Sequence, residues 1–389
     1  MKIAVIQPRV SYFNGGGEKI PLESMTHLVE LLDVSFDLYT TKSILPVAPG
    51  YELFKSAVAN NSKVTIHEIP IPKKFVPLYK IEPGTNRYRW DAESLYFNNL
   101  VYHFLQLDKP DLILSYYLPD CIVKPPEIPS ILYLLGYPRT DSEYREAMIS
   151  QYDSVIAISK NTADQWNQRL NPLTDIQAIL PQGLDLSSQP RLVDSFNDDF
   201  FHIVFAGRFM ERKGIATILE AALLLQSNTG NVKFHLLGEG PMLQEIQAFI
   251  STHNLKKTVV IEGFKSNVLD YIKSAQLCVF PSYEGEGLMN VVLESMYYNG
   301  LVITTHGNGN EEIITNGKNG FLVNPHDAIQ LKDQILSLKE NYLKLSQIKK
   351  EAKTTISQNF TWKVHAQKFN SVCIQAIHEK NSQLSTKNV

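Results

Sequence analysis

The chain has 389 residues, of which 44% are hydrophobic and 20% charged, and its formal net charge is −3. Such a length favours two domains with real cores, and the ordinary composition excludes a disordered or fibrous chain. A charge so close to balance gives no reason to expect a nucleic-acid partner, which usually needs a basic face. Cys121, Cys278 and Cys373 lie far apart without a Cys-x-x-Cys pair, and they read as free thiols in a reducing compartment. The N-terminal apolar run breaks at Pro8, too early for a signal peptide. No run approaches the roughly 18 apolar residues of a spanning helix. The expectation is a cytoplasmic protein, with at most peripheral contact at the inner face of the membrane.

In chain order, Lys2–Ile6 predicts a first strand, and a glycine-rich loop follows at Gly15–Gly17. The stretch 18–32 predicts a helix with Pro21 in its first turn. Residues 34–40, 112–115, 131–135 and 154–158 are further strand candidates. Alternation of short β-branched runs with longer helical stretches implies βαβ units and a parallel sheet. A polar, turn-rich seam lies near residues 186–200, after which the pattern restarts. Strands are expected at 201–206, 232–237, 259–262, 277–281 and 301–305, and helices at 215–225, 242–250, 268–275 and 290–298. The last of these helices stops at Asn299-Gly300, where glycine takes the left-handed cap cheaply. The tail after Leu331 is helical. Phe360-Thr361-Trp362 opens a final amphipathic helix with Val364, Phe369, Val372 and Ile377 on its apolar face, and residues 381–389 are expected to fray. These signals divide the chain into 1–190, 191–358 and a C-terminal crossover helix and tail, 359–389.

Two constellations carry chemistry. The first is the strand-loop-helix Ala206-Gly207-Arg208-Phe209-Met210-Glu211-Arg212-Lys213-Gly214. Arg208 offers a planar fork and Lys213 a compact charge, and a helix N-terminus aims at the same space. That pair suits a diphosphate; a solvated surface loop with incidental bases is the alternative on this loop alone. The second is Glu286-Gly287-Leu288-Met289-Asn290-Val291-Val292-Leu293-Glu294, a Glu-x7-Glu pattern. Glu286 falls in the loop at the carboxyl end of a strand. Glu294 falls about one turn past Asn290, which could serve as the helix N-cap. Carboxylates accept hydrogen bonds from sugar and ribose hydroxyls, so the pair suits a polyol ligand.

These motifs together resemble the retaining glycosyltransferases of family 4, the glycosyl transferases group 1, which have the GT-B fold. Gly238-Glu239-Gly240-Pro241, Gly317-Lys318-Asn319-Gly320-Phe321 and Phe360-Thr361-Trp362 add to the likeness, which covers residues 200–370 well. The first half matches less closely. There Gly15-Gly16-Gly17-Glu18 resembles the loop that approaches donor phosphate, with a plain surface loop as the competing view. Ser159-Lys160-Asn161-Thr162 resembles the family's serine-rich stretch after a strand, and Leu180-Pro181-Gln182-Gly183-Leu184-Asp185 resembles its strand leading to the linker. One departure stands out: many relatives place a histidine where this chain has Gly136, before Tyr137-Pro138.

The resemblance implies two Rossmann-like doubly wound α/β domains facing across a cleft, with the last helix returning to the first. It implies catalytic roles for Arg208, Lys213 and Glu286. It places Gly16, Gly17, Gly207, Gly238, Gly287, Leu288, Met289, Asn290 and Glu294 with them around the donor. The implied reaction moves a hexose from a UDP- or GDP-linked sugar to a hydroxyl of a glycan or lipid-linked acceptor, with retention. No metal or other cofactor is implied. A nucleotide-sugar epimerase, a sugar phosphorylase and a non-catalytic nucleotide-sugar-binding scaffold remain alternatives. A dinucleotide dehydrogenase fits less well, because no Gly-x-Gly-x-x-Gly follows Lys2–Ile6. Residues 73–90 interleave Lys73, Lys74, Lys80, Arg87 and Arg89 with Phe75, Tyr79, Tyr88 and Trp90. A solvated loop with aromatics tucked beneath it is favoured there over an acceptor or membrane patch, since Pro72, Pro77 and Pro83 forbid a helix.

Overall fold

A computed structural model describes residues 1–13, 16–42, 44–72, 88–116, 123–137, 148–168, 176–226, 231–283 and 286–387. The chain forms two compact units. One comprises Met1–Ile158, Ala163–Gly183 and Trp362–Val389, and the other Ser159–Thr162 and Leu184–Thr361. The polar stretch after Leu186 thus belongs to the second unit, and its backbone explains why. Arg191 N donates to Asp270 Oδ1 at 2.7 Å, and Val193 N donates to Ser274 Oγ at 2.8 Å.

The first unit is built on seven parallel strands: β1 (Lys2–Ile6), β2 (Ser35–Lys42), β3 (Val64–Pro70), β4 (Leu112–Tyr116), β5 (Ser130–Leu134), β6 (Ser154–Ala157) and β7 (Ile176–Ile179). Their spatial order is β3-β2-β1-β4-β5-β6-β7. Connecting helices include α1 (Gly16–Leu31), α2 (Pro49–Val58), α3 (Tyr88–Asp108) and α4 (Lys160–Asn167). Strands β4, β5 and β6 are buried at every position, as expected where a parallel sheet is covered on both faces. The strand ending in this region is β7, so residues 180–185 follow a strand rather than form one.

The second unit repeats the winding with β8 (Phe201–Ala206), α5 (Ile215–Gln226), β9 (Val232–Leu237), α6 (Leu243–Thr252), β10 (Val259–Gly263), α7 (Val268–Ser274), β11 (Leu277–Phe280), α8 (Asn290–Tyr298), β12 (Val302–Thr305) and β13 (Phe321–Val323). Helices α9 (Ala328–Glu340) and α10 (Ser346–Asn359) complete it. Its six parallel strands lie in the order β10-β9-β8-β11-β12-β13. Both sheets therefore reverse direction beside their first strand, between β1 and β4 and between β8 and β11. Doubly wound sheets open a crevice for ligands at that point, outside the carboxyl ends of the strands.

Helix α11 (Trp362–Lys387) returns to the first unit. Its buried stripe is Trp362, His365, Ala366, Phe369, Cys373 and Ala376, a repeat of three and four residues. Of the expected apolar face only Phe369 is fully buried; Val364, Val372 and Ile377 are half-buried and flank the stripe. The helix also continues through Lys387 instead of fraying at 381. His365 Nδ1 donates to the Pro181 carbonyl at 2.8 Å. Burial lowers this imidazole to about 4, so it is neutral at pH 7. Helix α1 begins earlier than expected, at Gly16, which moves Pro21 from the first turn into the helix interior. Cys278 and Cys373 are free and buried. Cys121, Gly15 and nearly all of the basic-aromatic stretch 73–90 lie outside the described residues.

Candidate active site

The loop after β8 leaves the sheet at Gly207, whose N–H donates to Leu237 O at 2.9 Å. Gly238 then turns with φ 139°, and a Cβ there would stand 2.0 Å from Gly207 O. Only glycine permits that approach of two loops. The β8 loop next makes a short 3-10 turn at Glu211–Lys213 and is stopped by Gly214 at φ 69°. A Cβ on Gly214 would stand 2.0 Å from Pro281 O, at the head of the loop after β11. Tyr283 N donates to Arg212 O at 3.1 Å and joins the same two loops. Strands β8 and β11 are neighbours, so their loops flank the reversal point and hold Arg212 and Lys213 against Glu286.

Glu286 is 8% exposed. Its Oε1 accepts from Arg212 Nη1 at 2.7 Å and lies 3.0 Å from Lys213 Nζ. Lys213 Nζ also donates to Met289 Sδ at 3.4 Å. Two cations and one carboxylate therefore share a single oxygen. The structure brings together Lys213, Glu286 and Met289 from the expected set. It adds Arg212, which sequence reasoning passed over although it directly precedes Lys213. Arg208 stands exposed on the same loop. Glu294 lies on α8, half-buried.

The loop after β12 braces this strip from behind. Gly309 N donates to Glu286 O at 3.2 Å, and Met289 N donates to Asn310 Oδ1 at 2.9 Å. Asn310 N donates to Asn308 Oδ1 at 3.0 Å, and Asn308 Nδ2 donates to Ser282 O at 3.0 Å. Both asparagines are fully buried. Their only sequence signal is a polar pair in a glycine-rich loop at the carboxyl end of a strand. The cap of α8 differs from expectation. Met289 is the N-cap residue, without a side-chain hydrogen bond, and Asn290 is the first helical residue with its Oδ1 buried and unpartnered. Asn290 already has helical backbone, so its side chain does not occupy the cap position. Further along the β12 loop, Glu311 is held below the usual carboxylate range by the Gly307 N–H and then by His306.

In the first unit, Gly136 O accepts from Trp166 Nε1 at 2.7 Å. Gly136 thus serves as a backbone anchor for α4. Among the described residues one group could offer a metal three ligand atoms, Asp37, His67 and Asp108. The Lys2 ammonium already stands 2.8 Å from Asp37 Oδ2 and supplies a cation there. No helix of the described residues is long and apolar enough to cross a membrane.

The second unit thus gathers a cationic loop and a carboxylate at the reversal point of its sheet. Residues 192–355 match the family described as glycosyl transferases group 1. Over 98% of each chain, the sequence is 25% identical to an uncharacterized glycosyltransferase of Methanocaldococcus jannaschii. A 156-residue stretch, 40% of this chain and 31% of the relative, is 28% identical to the poly(ribitol-phosphate) alpha-N-acetylglucosaminyltransferase of Staphylococcus aureus. The crystal structure of Anabaena HepE in complex with UDP superposes with a TM-score of 0.75 over 96% of this chain and 100% of that one, at 17% identity, which establishes the fold. The second unit accordingly carries a glycosyl transferases group 1 domain, and the chain is a glycosyltransferase of the GT-B fold.

Proposed function

We propose that this glycosyltransferase moves a hexose from a UDP- or GDP-linked sugar to a hydroxyl of a glycan or lipid-linked acceptor, with retention of configuration. The observation that carries this reading is the meeting of Lys213 and Glu286 at the reversal point of the second sheet, 3.0 Å apart. In the reaction the bond from the anomeric carbon to the diphosphate breaks, and the acceptor oxygen forms the new bond. The acceptor proton and the nucleoside diphosphate are released. The departing diphosphate gains negative charge, and Arg208, Lys213 and the uncapped N-terminus of α8 would stabilise it where it develops. Gly207, Gly238, Gly287 and Leu288 would let backbone approach the donor closely. Glu286 would accept hydrogen bonds from the sugar, and Glu294 from the ribose.

The relative that transfers N-acetylglucosamine to poly(ribitol-phosphate) supports a polymeric acceptor. Turnover without added metal is part of the proposal, and it should survive a chelator. The decisive experiment offers a panel of UDP and GDP sugars with glycan and lipid-linked acceptors and measures acceptor-dependent release of diphosphate. The anomeric configuration of the product is read by NMR. Failure of every nucleotide sugar to bind or react would sink the assignment, and an inverted product would sink retention.

A further inference from the structure

Glu286 faces a conflict if Lys213 is to serve a diphosphate. Lys213 Nζ sits 3.0 Å from Glu286 Oε1, and its other contact among the described residues is the weak acceptor Met289 Sδ. An ammonium that turns to the donor phosphates must leave this carboxylate. Glu286 is 8% exposed, so abandoning it without a partner would leave a buried charge uncompensated. Arg212 removes the conflict. Its Nη1 reaches the same Oε1 at 2.7 Å, and its backbone is fixed by Tyr283 N on the opposing loop.

We propose that Arg212 is a positioning residue that keeps Glu286 paired while Lys213 passes from that carboxylate to the donor diphosphate. The inference rests on the donor-site reading above and extends it to a residue outside the expected set. Before donor arrives, two cations share one oxygen. When donor is bound, each anion keeps one of them. The planar guanidinium suits the stationary role, because its fork holds a carboxylate in a fixed geometry. The ammonium suits the moving role, because it is a point charge on a four-carbon stem.

A double-mutant cycle read by calorimetry with UDP and GDP as probes tests this. Arg212→Gln should weaken diphosphate binding about tenfold, because Glu286 then competes for Lys213 without relief. Arg212→Lys should restore part of the affinity. Glu286→Gln should tighten UDP or GDP binding, since it frees Lys213, and adding Arg212→Gln to Glu286→Gln should change nothing further. Thermal melting of each variant checks that the fold is kept. An equal loss from Arg212→Gln in both backgrounds would show that Arg212 touches the donor itself and would overturn the hand-off. So would no loss in either background. If wild-type protein binds neither diphosphate, the donor-site reading falls and takes this inference with it.

Discussion

The two units wind their sheets alike yet treat the loop after the first strand in opposite ways. After β8 the loop turns its charges to the reversal point, where Arg212 and Lys213 meet Glu286. After β1 the loop turns its polar groups inward. Arg9 is 3% exposed and donates from Nη1 and Nη2 to Ser94 Oγ at 3.2 and 3.0 Å. Tyr12 OH donates to Glu93 at 2.5 Å, Ser11 Oγ to Thr41 O at 2.7 Å, and Gln7 Nε2 to Tyr116 O at 2.6 Å. The β1 loop is thus stitched to α3 and to neighbouring backbone. One topology supplies a crevice twice, but only the side chains at its rim decide whether charge is offered to a ligand or consumed by the fold.

Changes in the second unit should therefore strike chemistry, and changes in the first should strike stability. The largest effect is expected from Lys213→Ala and Arg208→Ala. Each should lower turnover by about 10²–10³-fold, about 3–4 kcal/mol of transition-state stabilisation, with melting unchanged. Near-normal rates in both would break the contrast.

The next effect belongs to the first unit. His365 is lowered to about 4 by burial, against an ordinary value of 6.5. As pH falls from 6.5 towards 4, the unfolded chain takes up a proton that the folded imidazole refuses, so stability drops through that window and levels off below it. The full loss is about 3 kcal/mol, an upper figure for one buried group. Urea midpoints across this range should fall more steeply for wild type than for His365→Gln. Parallel slopes would remove the assignment.

A smaller effect is expected where the two kinds of change meet. Asn310→Ala leaves the Met289 N–H without its acceptor and should cost about 2 kcal/mol of stability while also weakening nucleotide binding. Lost stability with unchanged affinity would mean that the brace does not position the donor strip. The smallest is Tyr12→Phe, which removes the hydroxyl from Glu93 and should cost about 1 kcal/mol with nucleotide affinity intact. A loss of affinity there would blur the division of labour.

Much of this was legible in the chain itself. Central strands such as β8, β11 and β12 are buried at every position, and so they read as short runs of mostly apolar and β-branched residues. Lys213 and Glu286 stood out because ionisable residues sit at the ends of such runs. The edge strands β3 and β7 were not legible, because one face of each meets solvent and their apolar signal is diluted. The buried stripe of α11 was legible only at Phe369: His365 is polar and Ala366 is small, and their burial follows from what packs over them.

Sequence alone determined that the chain alternates strand and helix twice over, and that a cationic loop and an acidic pair follow two of its strands. These are local properties, fixed by periodicity and by residue type along a few turns of chain. Only the tertiary structure decided that β8 and β11 lie side by side. That neighbourhood puts Arg212 and Lys213 on one oxygen of Glu286 and sets Asn308 and Asn310 behind it. The pairings join residues distant in the chain, and no local pattern specifies them, because strand order is chosen by how the whole sheet buries its faces.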